Sequence, residues 1–173
     1  MLRHEDRVSF PFHEHTMTPF RPFNLMRIAA LAGLLAMTHI PVGAAPPDLL
    51  DVGQWKGKVV VLDFWASWCG PCKESFPWMK RLQDVNAVDG LVVVAVNLDH
   101  DRELAERFIR NQRPNFPIVF DPEGRIAEQF EVKSMPASFY LDRAGRIRYG
   151  HAGFRRADTK ESENELAKLL AER

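Results

Sequence analysis

The chain of 173 residues has the length of a single folded domain, and its composition fits one. Hydrophobic residues make up 46% and charged residues 27% of the sequence, which is typical of a globular protein with its own core and shows no sign of disorder. Lys and Arg number 23, as do Asp and Glu, so the net charge is zero. This balance favours neither an anionic membrane surface nor nucleic acid, and we predict no nucleic-acid partner.

The N-terminal part of the chain follows the plan of a secretory signal peptide. Two arginines precede an uncharged apolar run over residues 28–40, and residues 42–44 supply small side chains at the positions that signal peptidase reads. At 13 residues, the run is shorter than the roughly 20 residues of a membrane-spanning helix. We expect cleavage after Ala44, which makes residues 1–44 a signal peptide with an N-terminal extension and residues 45–173 the mature domain. An uncleaved membrane anchor is the alternative, and both predict an exported, periplasmic domain.

The extension before the apolar run contains residues that invite other interpretations. His4, His13 and His15 could suggest metal binding, but no ordered scaffold holds them in one geometry, so no metal site is predicted there. Met17 or Met26 could also be the true start of the chain.

Strands and helices are expected to alternate along the mature domain, after a loose lead-in over residues 45–57. The apolar runs and turn residues predict strands at 59–65, 91–97, 118–120, 137–141 and 146–151. Helical spacing predicts helices at about 70–87, 102–111, 126–130 and 161–171. The last two strands flank a turn-rich connection and should pair antiparallel. The order βα, βα, βα, ββα predicts an α/β domain.

Apolar positions within these helices predict which faces are buried. The inward residues are expected to be Phe76, Met79, Leu82 and Val85 in the first helix, Leu104, Phe108 and Ile109 in the second, and Leu166, Leu169 and Leu170 in the last. Pro77 should bend the first helix. Asp101 can cap the second.

Both cysteines of the chain lie in the sequence Trp68-Cys69-Gly70-Pro71-Cys72, between the first strand and the first helix. A cysteine reacts as thiolate, and a helix N-terminus lowers its pKa through unpaired N–H groups and the helix dipole. We expect Cys69 to be the exposed nucleophile that forms a mixed disulfide with a partner. Cys72, one turn later and more buried, then attacks Cys69 and resolves it. Gly70 and Pro71 keep the loop tight enough for the two sulfurs to meet.

Two other interpretations of the cysteine pair are weaker. A zinc site would need two more ligands, and the mature chain offers only His100 and His151, which are not in a paired spacing. A purely structural disulfide would close too small a loop to stabilise the fold much.

Asp63 lies within the first apolar strand, where a carboxylate is costly unless it is protonated or hydrogen-bonded. Burial should raise its pKa and make it a proton acceptor for Cys72. The alternative is that the side chain turns towards solvent or Lys58.

The stretch from Val61 to Lys73 closely resembles the active-site sequence of the thioredoxin superfamily. Gly57-Lys58-Val59-Val60, Asp121-Pro122-Glu123-Gly124 and the run from Met135 to Ile147 are similar to its exported TlpA/ResA-like branch. The resemblance covers nearly all of residues 48–171. It implies a thioredoxin fold, with a mixed central β-sheet flanked by helices and the TlpA-type βα insertion.

The same resemblance implies roles for residues outside the cysteine motif. Pro136 should have a cis peptide bond, which costs little for an X-Pro bond, and should face the cysteines. The backbone at Met135 should pair with an extended substrate segment. Trp68 is expected either on the docking surface or in packing. The other three tryptophans, Trp55, Trp65 and Trp78, are assigned to packing alone.

Three positions depart from the TlpA-type pattern. Many members have Asn where this chain has Asp63, so the proton-handling centre is closer to that of cytosolic thioredoxin. Members devoted to cytochrome c maturation often have an acidic residue third after the second cysteine, or Glu after the cis proline, where this chain has Ser75 and Ala137. Ser75 and Ala137 weaken a cytochrome-specific assignment.

The resemblance and the motif together predict an exported thiol-disulfide oxidoreductase without cofactor or metal. Its dithiol would reduce disulfides of periplasmic partner proteins and be recharged by a membrane thiol electron donor, because that compartment is kept oxidising. The alternatives are an oxidase or isomerase of secreted proteins, and a copper-delivery module that binds metal through the dithiol. A peroxidase is disfavoured because no further cysteine exists.

Overall fold

The structure, a computed structural model, describes residues 50–172. The predicted signal peptide and its extension, residues 1–44, lie outside the described residues. Within the described range no helix combines the length and apolar character needed to cross a membrane.

Five strands and four helices form an α/β domain, as the sequence predicted. The strands are β1 (Val59–Trp65), β2 (Leu91–Asn97), β3 (Ile118–Phe120), β4 (Ala137–Leu141) and β5 (Ile147–Ala152). The helices are α1 (Gly70–Asn86), α2 (Arg102–Gln112), α3 (Arg125–Gln129) and α4 (Thr159–Ala171). Short 3-10 turns occur at Val52–Trp55, within the lead-in expected to be loose, and at Arg156–Asp158.

The strands form one mixed sheet in the order β3-β2-β1-β4-β5. β1 lies at the centre, parallel to β2 and antiparallel to β4, and β5 pairs antiparallel with β4 as expected for the hairpin. Central parallel strands are covered on both faces, which explains why β1 and β2 read as continuous apolar runs. The cysteine motif follows β1 directly and therefore starts from the middle of the sheet.

Side chains of β1 alternate between two halves of the core. Val61 and Trp65 belong to the half that also contains Phe76 of α1, Phe108 of α2 and Leu166 of α4. The other half contains Val60, Leu62 and Phe64 of β1, with Ile126 and Ala127 of α3. Both cysteines belong to the first half, on the side of the sheet that α1 covers.

Two of the predicted inward-facing residues are at the surface. Val85 is 64% exposed and Leu104 is 39% exposed, whereas Phe76, Met79 and Leu82 are buried. Each residue of a helix turns by about 100°, so repeated steps of three drift backwards and place Val85 opposite Phe76. In α2, Ala105 rather than Leu104 occupies the buried position. α1 continues through Pro77 to Asn86.

Candidate redox site

Cys69 and Cys72 are joined in a disulfide at the N-terminus of α1, with Cα atoms 5.3 Å apart. Cys69 is the N-cap residue of the helix, and its Sγ accepts a hydrogen bond from the Cys72 backbone N–H at 3.3 Å. The same amide and the positive end of the helix dipole would stabilise a thiolate at Cys69 after reduction. The sequence therefore places the sulfur that we expect to react first at the helix end that best supports it.

The two sulfurs differ in accessibility, but less than expected. Cys69 is 5% exposed and Cys72 is fully buried. The predicted order is thus confirmed, while the prediction of a freely exposed Cys69 is wrong for the disulfide form. The reason is that Cys69 packs into the core half that includes Trp65 and Phe76.

The residues around the disulfide present a mostly exposed rim. Trp68 is 66% exposed, so the alternative that it serves in core packing is wrong. Gly70 and Pro71 are also exposed. Met135 is half-buried and packs against the core half that contains both cysteines, and the Met135-Pro136 peptide bond is cis, as predicted.

The other three tryptophans pack against the core, as predicted. Trp65 is fully buried, with its ring centroid 4.8 Å from that of Phe76 and 4.7 Å from that of Phe108. Trp78 is 7% exposed and donates from Nε1 to Glu163 at 2.8 Å. Trp55 is half-buried against the opposite half of the core.

Asp63 is held inside the sheet, where it is 1% exposed. It lies between Val61 and Trp65 in β1, so its side chain points to the same side of the sheet as Cys72. This burial excludes the alternative in which the carboxylate turns to solvent.

The carboxylate of Asp63 is only half satisfied. The hydroxyl of Ser138, its register partner in β4, donates to Oδ1 at 2.6 Å. Oδ2 has no hydrogen-bond partner within residues 50–172. Burial raises the pKa of Asp63 to about 7, and the hydrogen bond from Ser138 opposes this rise. A carboxyl group that titrates near neutral pH can both accept and return a proton under ordinary conditions.

A second buried aspartate, Asp99, anchors the loop that leads to Cys69, and no role was predicted for it. Its carboxylate accepts hydrogen bonds from the Ser67 N–H at 2.8 Å and the Ser67 hydroxyl at 2.7 Å. It also accepts from Nδ2 of Asn97 at 2.7 Å. The available signal was the polar pair Asn97 and Asp99 at the carboxyl end of β2, since neighbouring parallel strands end at the same edge of a sheet.

Ser138 and Asp99 complete a site whose other residues were predicted. Ser138 could have been found only through the antiparallel register between β1 and β4, which the sequence does not reveal. Of the histidines considered as zinc ligands, His151 is hydrogen-bonded to Glu165 at 2.7 Å and His100 is exposed. The described part of the chain contains no cluster of three or more His, Cys, Asp or Glu side chains able to hold a metal ion.

Known proteins share this fold. The chain matches the model of the Redoxin family over residues 36–170. It is 31% identical over 98 residues to the thiol-disulfide oxidoreductase ResA of Bacillus subtilis, an alignment that covers 57% of this chain and 55% of that protein. It is 35% identical over 95 residues to the sporulation thiol-disulfide oxidoreductase A of the same species, covering 53% of this chain and 58% of the relative.

A solved structure supports the same grouping. The crystal structure of a protein from Chlorobium tepidum, described as a thiol:disulfide interchange protein DsbE, superposes with a TM-score of 0.68 at 44% identity, covering 69% of this chain and 84% of that one. The chain spans only a little over half the length of the two Bacillus relatives, 55% and 58%. With its thioredoxin-like fold and its ResA-like relatives, the chain belongs to the Redoxin family.

Proposed function

We propose that this protein is an exported thiol-disulfide oxidoreductase that reduces disulfides of periplasmic partner proteins. The observation that carries the proposal is the pairing of Cys69 and Cys72 at the N-terminus of α1, with a helix amide donating to Cys69 Sγ. The names of the Bacillus relatives support the reaction class, since both are called thiol-disulfide oxidoreductases.

The reaction transfers two electrons from the dithiol to the partner's disulfide. The Cys69 thiolate attacks one sulfur of the partner, forming a mixed disulfide, and the partner's other sulfur leaves as a thiolate. Cys72 loses its proton and attacks Cys69 Sγ, so the mixed disulfide breaks and the partner's second sulfur leaves. The protein is left with the Cys69–Cys72 disulfide, and the partner takes up protons to become a dithiol.

Asp63 is the proton acceptor for Cys72 in this scheme. Both side chains lie on the side of the sheet that α1 covers, and both are shielded from bulk water. With a pKa of about 7 for Asp63, a substantial fraction of the protein has an ionised carboxylate at neutral pH. That carboxylate can take the proton of the Cys72 thiol directly, so the step needs no base from solvent.

The partner docks, in this proposal, across the exposed rim of the disulfide. Trp68, Gly70 and Pro71 are exposed on the loop that joins β1 to α1, and Met135 packs against the same half of the core. An extended segment of the partner can pair with the backbone at Met135 while Trp68 covers its side chains. Recognition mainly through backbone would allow several partner sequences.

The reducing direction rests on chemistry and on the compartment. A Gly-Pro dipeptide between the cysteines and a proton acceptor beneath them resemble reducing thioredoxins. A reductase in an oxidising compartment needs a renewed supply of electrons, and we propose a membrane thiol donor as that source.

Trapping the mixed disulfide tests the proposed activity. Cys72→Ser should leave exported partners covalently attached through Cys69, recoverable on a non-reducing gel and released by dithiothreitol. The matched control, Cys69→Ser with Cys72→Ser, should trap nothing. Equal recovery from both variants would contradict the mechanism.

Two further measurements separate this activity from the alternatives. A redox equilibrium of the wild-type protein with glutathione should show a disulfide more stable than that of an oxidase; a disulfide fully reduced by a small excess of glutathione would favour an oxidase or isomerase. Stoichiometric, tight Cu(I) binding by the reduced protein, without disulfide reductase activity, would instead identify a copper-delivery module.

A further inference from the structure

Asp63 needs a route for protons that its immediate surroundings do not provide. Each redox cycle places a proton on this carboxyl group and removes one, yet the residue is 1% exposed. The hydroxyl of Ser138, at 2.6 Å from Oδ1, is its hydrogen-bond partner in the described part of the chain. Ser138 is therefore the polar neighbour at which a hydrogen-bonded path from Asp63 to solvent can begin.

A cavity of about 300 Å³ has Ser138 in its wall. Its walls come from β4, β5, the segment after β5, and α4, and they include Ser138, Tyr140, His151 and Ser162. Gly153, Arg155 and Glu161 also line it and are exposed, so the cavity opens to solvent. A water molecule occupies about 30 Å³ in the liquid, so several waters fit between the opening and Ser138.

His151 lies in this cavity directly beside Ser138. The two residues are register partners in the antiparallel pair of β4 and β5, which places their side chains next to each other on one face of the sheet. The ring nitrogen Nε2 of His151 is 2.7 Å from Oε2 of Glu165 on α4. Nδ1 has no hydrogen-bond partner among residues 50–172. Imidazole is the side chain best suited to exchange protons with water near neutral pH.

Most of the other titratable groups around the imidazole are paired elsewhere or uncharged. The ring of Tyr140 lies 5.3 Å from that of His151, and burial raises the pKa of Tyr140 further above its ordinary value, so it stays uncharged. Asp158 pairs with Arg155 at 2.7 Å. On α4, Glu163 binds Trp78 and Arg81, and Glu161 is exposed at the cavity's edge. Glu165 is thus the acid in contact with His151.

We propose that this cavity is the proton port of Asp63, in which Ser138 connects the carboxyl group to cavity water and His151, held by Glu165, exchanges the proton with solvent. When Asp63 is protonated, the Ser138 hydroxyl turns to donate to a cavity water and accepts a hydrogen bond from the carboxyl group. The proton then moves from Asp63 to Ser138 Oγ while the hydroxyl's own proton moves to that water. That water passes a proton to Nδ1 of His151, which releases it to bulk solvent. One proton leaves, no electrons move, and the reverse sequence reloads the carboxyl group. The inference rests on the proposed role of Asp63 and adds the residues that serve it; Ser138 and His151 act as positioning and relay residues.

The port is tested on the resting disulfide protein, without thiols. Infrared spectroscopy can follow the carbonyl band of protonated Asp63, assigned by its loss in Asp63→Asn, after a rapid pH jump. His151→Ala should slow proton exchange at Asp63 by about tenfold or more. Added imidazole should restore the rate in proportion to its concentration. The control Glu161→Gln, at the cavity's edge, should exchange like the wild type.

A second pair of variants tests the link through Ser138. Ser138→Ala removes the hydroxyl and should slow exchange as well, whereas Ser138→Thr keeps a hydroxyl in a side chain suited to a strand and should retain the rate. An unchanged rate in His151→Ala, or a slow rate that imidazole does not restore, would overturn the proton port. If Asp63→Asn leaves mixed-disulfide resolution unchanged while His151→Ala slows exchange, the proposed role of Asp63 fails and the port stands.

Discussion

Asp63 and Asp99 are buried to a similar extent, but their carboxylates accept different numbers of hydrogen bonds. Asp99, 3% exposed, accepts hydrogen bonds on both carboxylate oxygens from Ser67 and Asn97. Asp63, 1% exposed, accepts one bond on Oδ1 and has no partner for Oδ2. Burial alone penalises both charges, so the number of donors decides their chemistry. Three donors make a carboxylate an anchor, while one donor leaves it able to take a proton.

The positions of the two aspartates in the fold explain why they accept different numbers of hydrogen bonds. Asp99 follows the end of β2, next to the backbone of the loop that carries Cys69, and loop N–H and hydroxyl groups can reach it there. Asp63 lies within β1, where the backbone groups are used by β2 and β4. A carboxylate within a central strand can be satisfied only by neighbouring side chains, and here β4 offers a single hydroxyl.

The largest effect is expected from Asp63→Asn on the pH dependence of stability. The pKa of Asp63 rises from 3.8 to about 7 on folding, so the folded protein holds a proton that the unfolded chain releases. Stability from this group is present at low pH and is lost as pH rises through that window. Between about pH 5 and pH 8 the free energy of unfolding of the wild type should fall by about 3 kcal/mol more than that of Asp63→Asn.

Denaturant unfolding of the disulfide form at both pH values measures this difference. The variant should be the more stable protein at the higher pH. If the free energies of unfolding of the wild type and Asp63→Asn changed with pH in parallel, the proposed distinction between Asp63 and Asp99 would be contradicted.

A smaller, destabilising effect is expected from Asp99→Asn. The amide replaces one acceptor oxygen with a donor, so that donor faces either the Ser67 N–H, which is bonded to Oδ2, or the Ser67 hydroxyl, which is bonded to Oδ1. With the negative charge of the acceptor also lost, the change should cost about 2 kcal/mol. Because this loss comes from hydrogen bonds, it should be similar at about pH 5 and pH 8. The same unfolding experiment measures it, and a stabilised Asp99→Asn would show that Asp99 is no anchor.

The smallest effects come from removing one donor from each aspartate. Ser67→Ala takes one of three donor groups from Asp99 and should cost about 1 kcal/mol of unfolding free energy. Ser138→Ala takes the single donor from Asp63 and should raise its pKa by about one further unit. Carbon-13 NMR titration of the Asp63 carboxyl group checks the second value. A lowered pKa in Ser138→Ala would contradict the hydrogen bond's direction.

The sequence was informative wherever the structure depends on local pattern. Continuous apolar runs predicted β1 and β2, and the residues Asp63, Cys69, Cys72 and Pro136 were recognised from their motif. Val85 was placed wrongly because a spacing of three residues drifts around the helix surface. These outcomes depend on neighbours close in the chain.

The partners of the two aspartates could not be predicted in the same way. Ser138 meets Asp63 across 75 positions and Ser67 meets Asp99 across 32, and both contacts depend on strand order and register. A hydroxyl residue carries no sequence signal of which carboxylate it will bind. The half-satisfied state of Asp63 is therefore a property of the fold, although the aspartate itself is visible in the sequence.

The most direct test of Asp63 as proton acceptor is the pH dependence of one chemical step. In single turnover, an aromatic thiol is attached to Cys69 as a mixed disulfide, and its release by Cys72 is followed by absorbance. The wild-type rate should rise through the region near pH 7, where Asp63 ionises. Asp63→Asn should resolve more slowly at neutral pH and accelerate only as the Cys72 thiol itself ionises. Superimposable profiles for the two proteins would contradict the account.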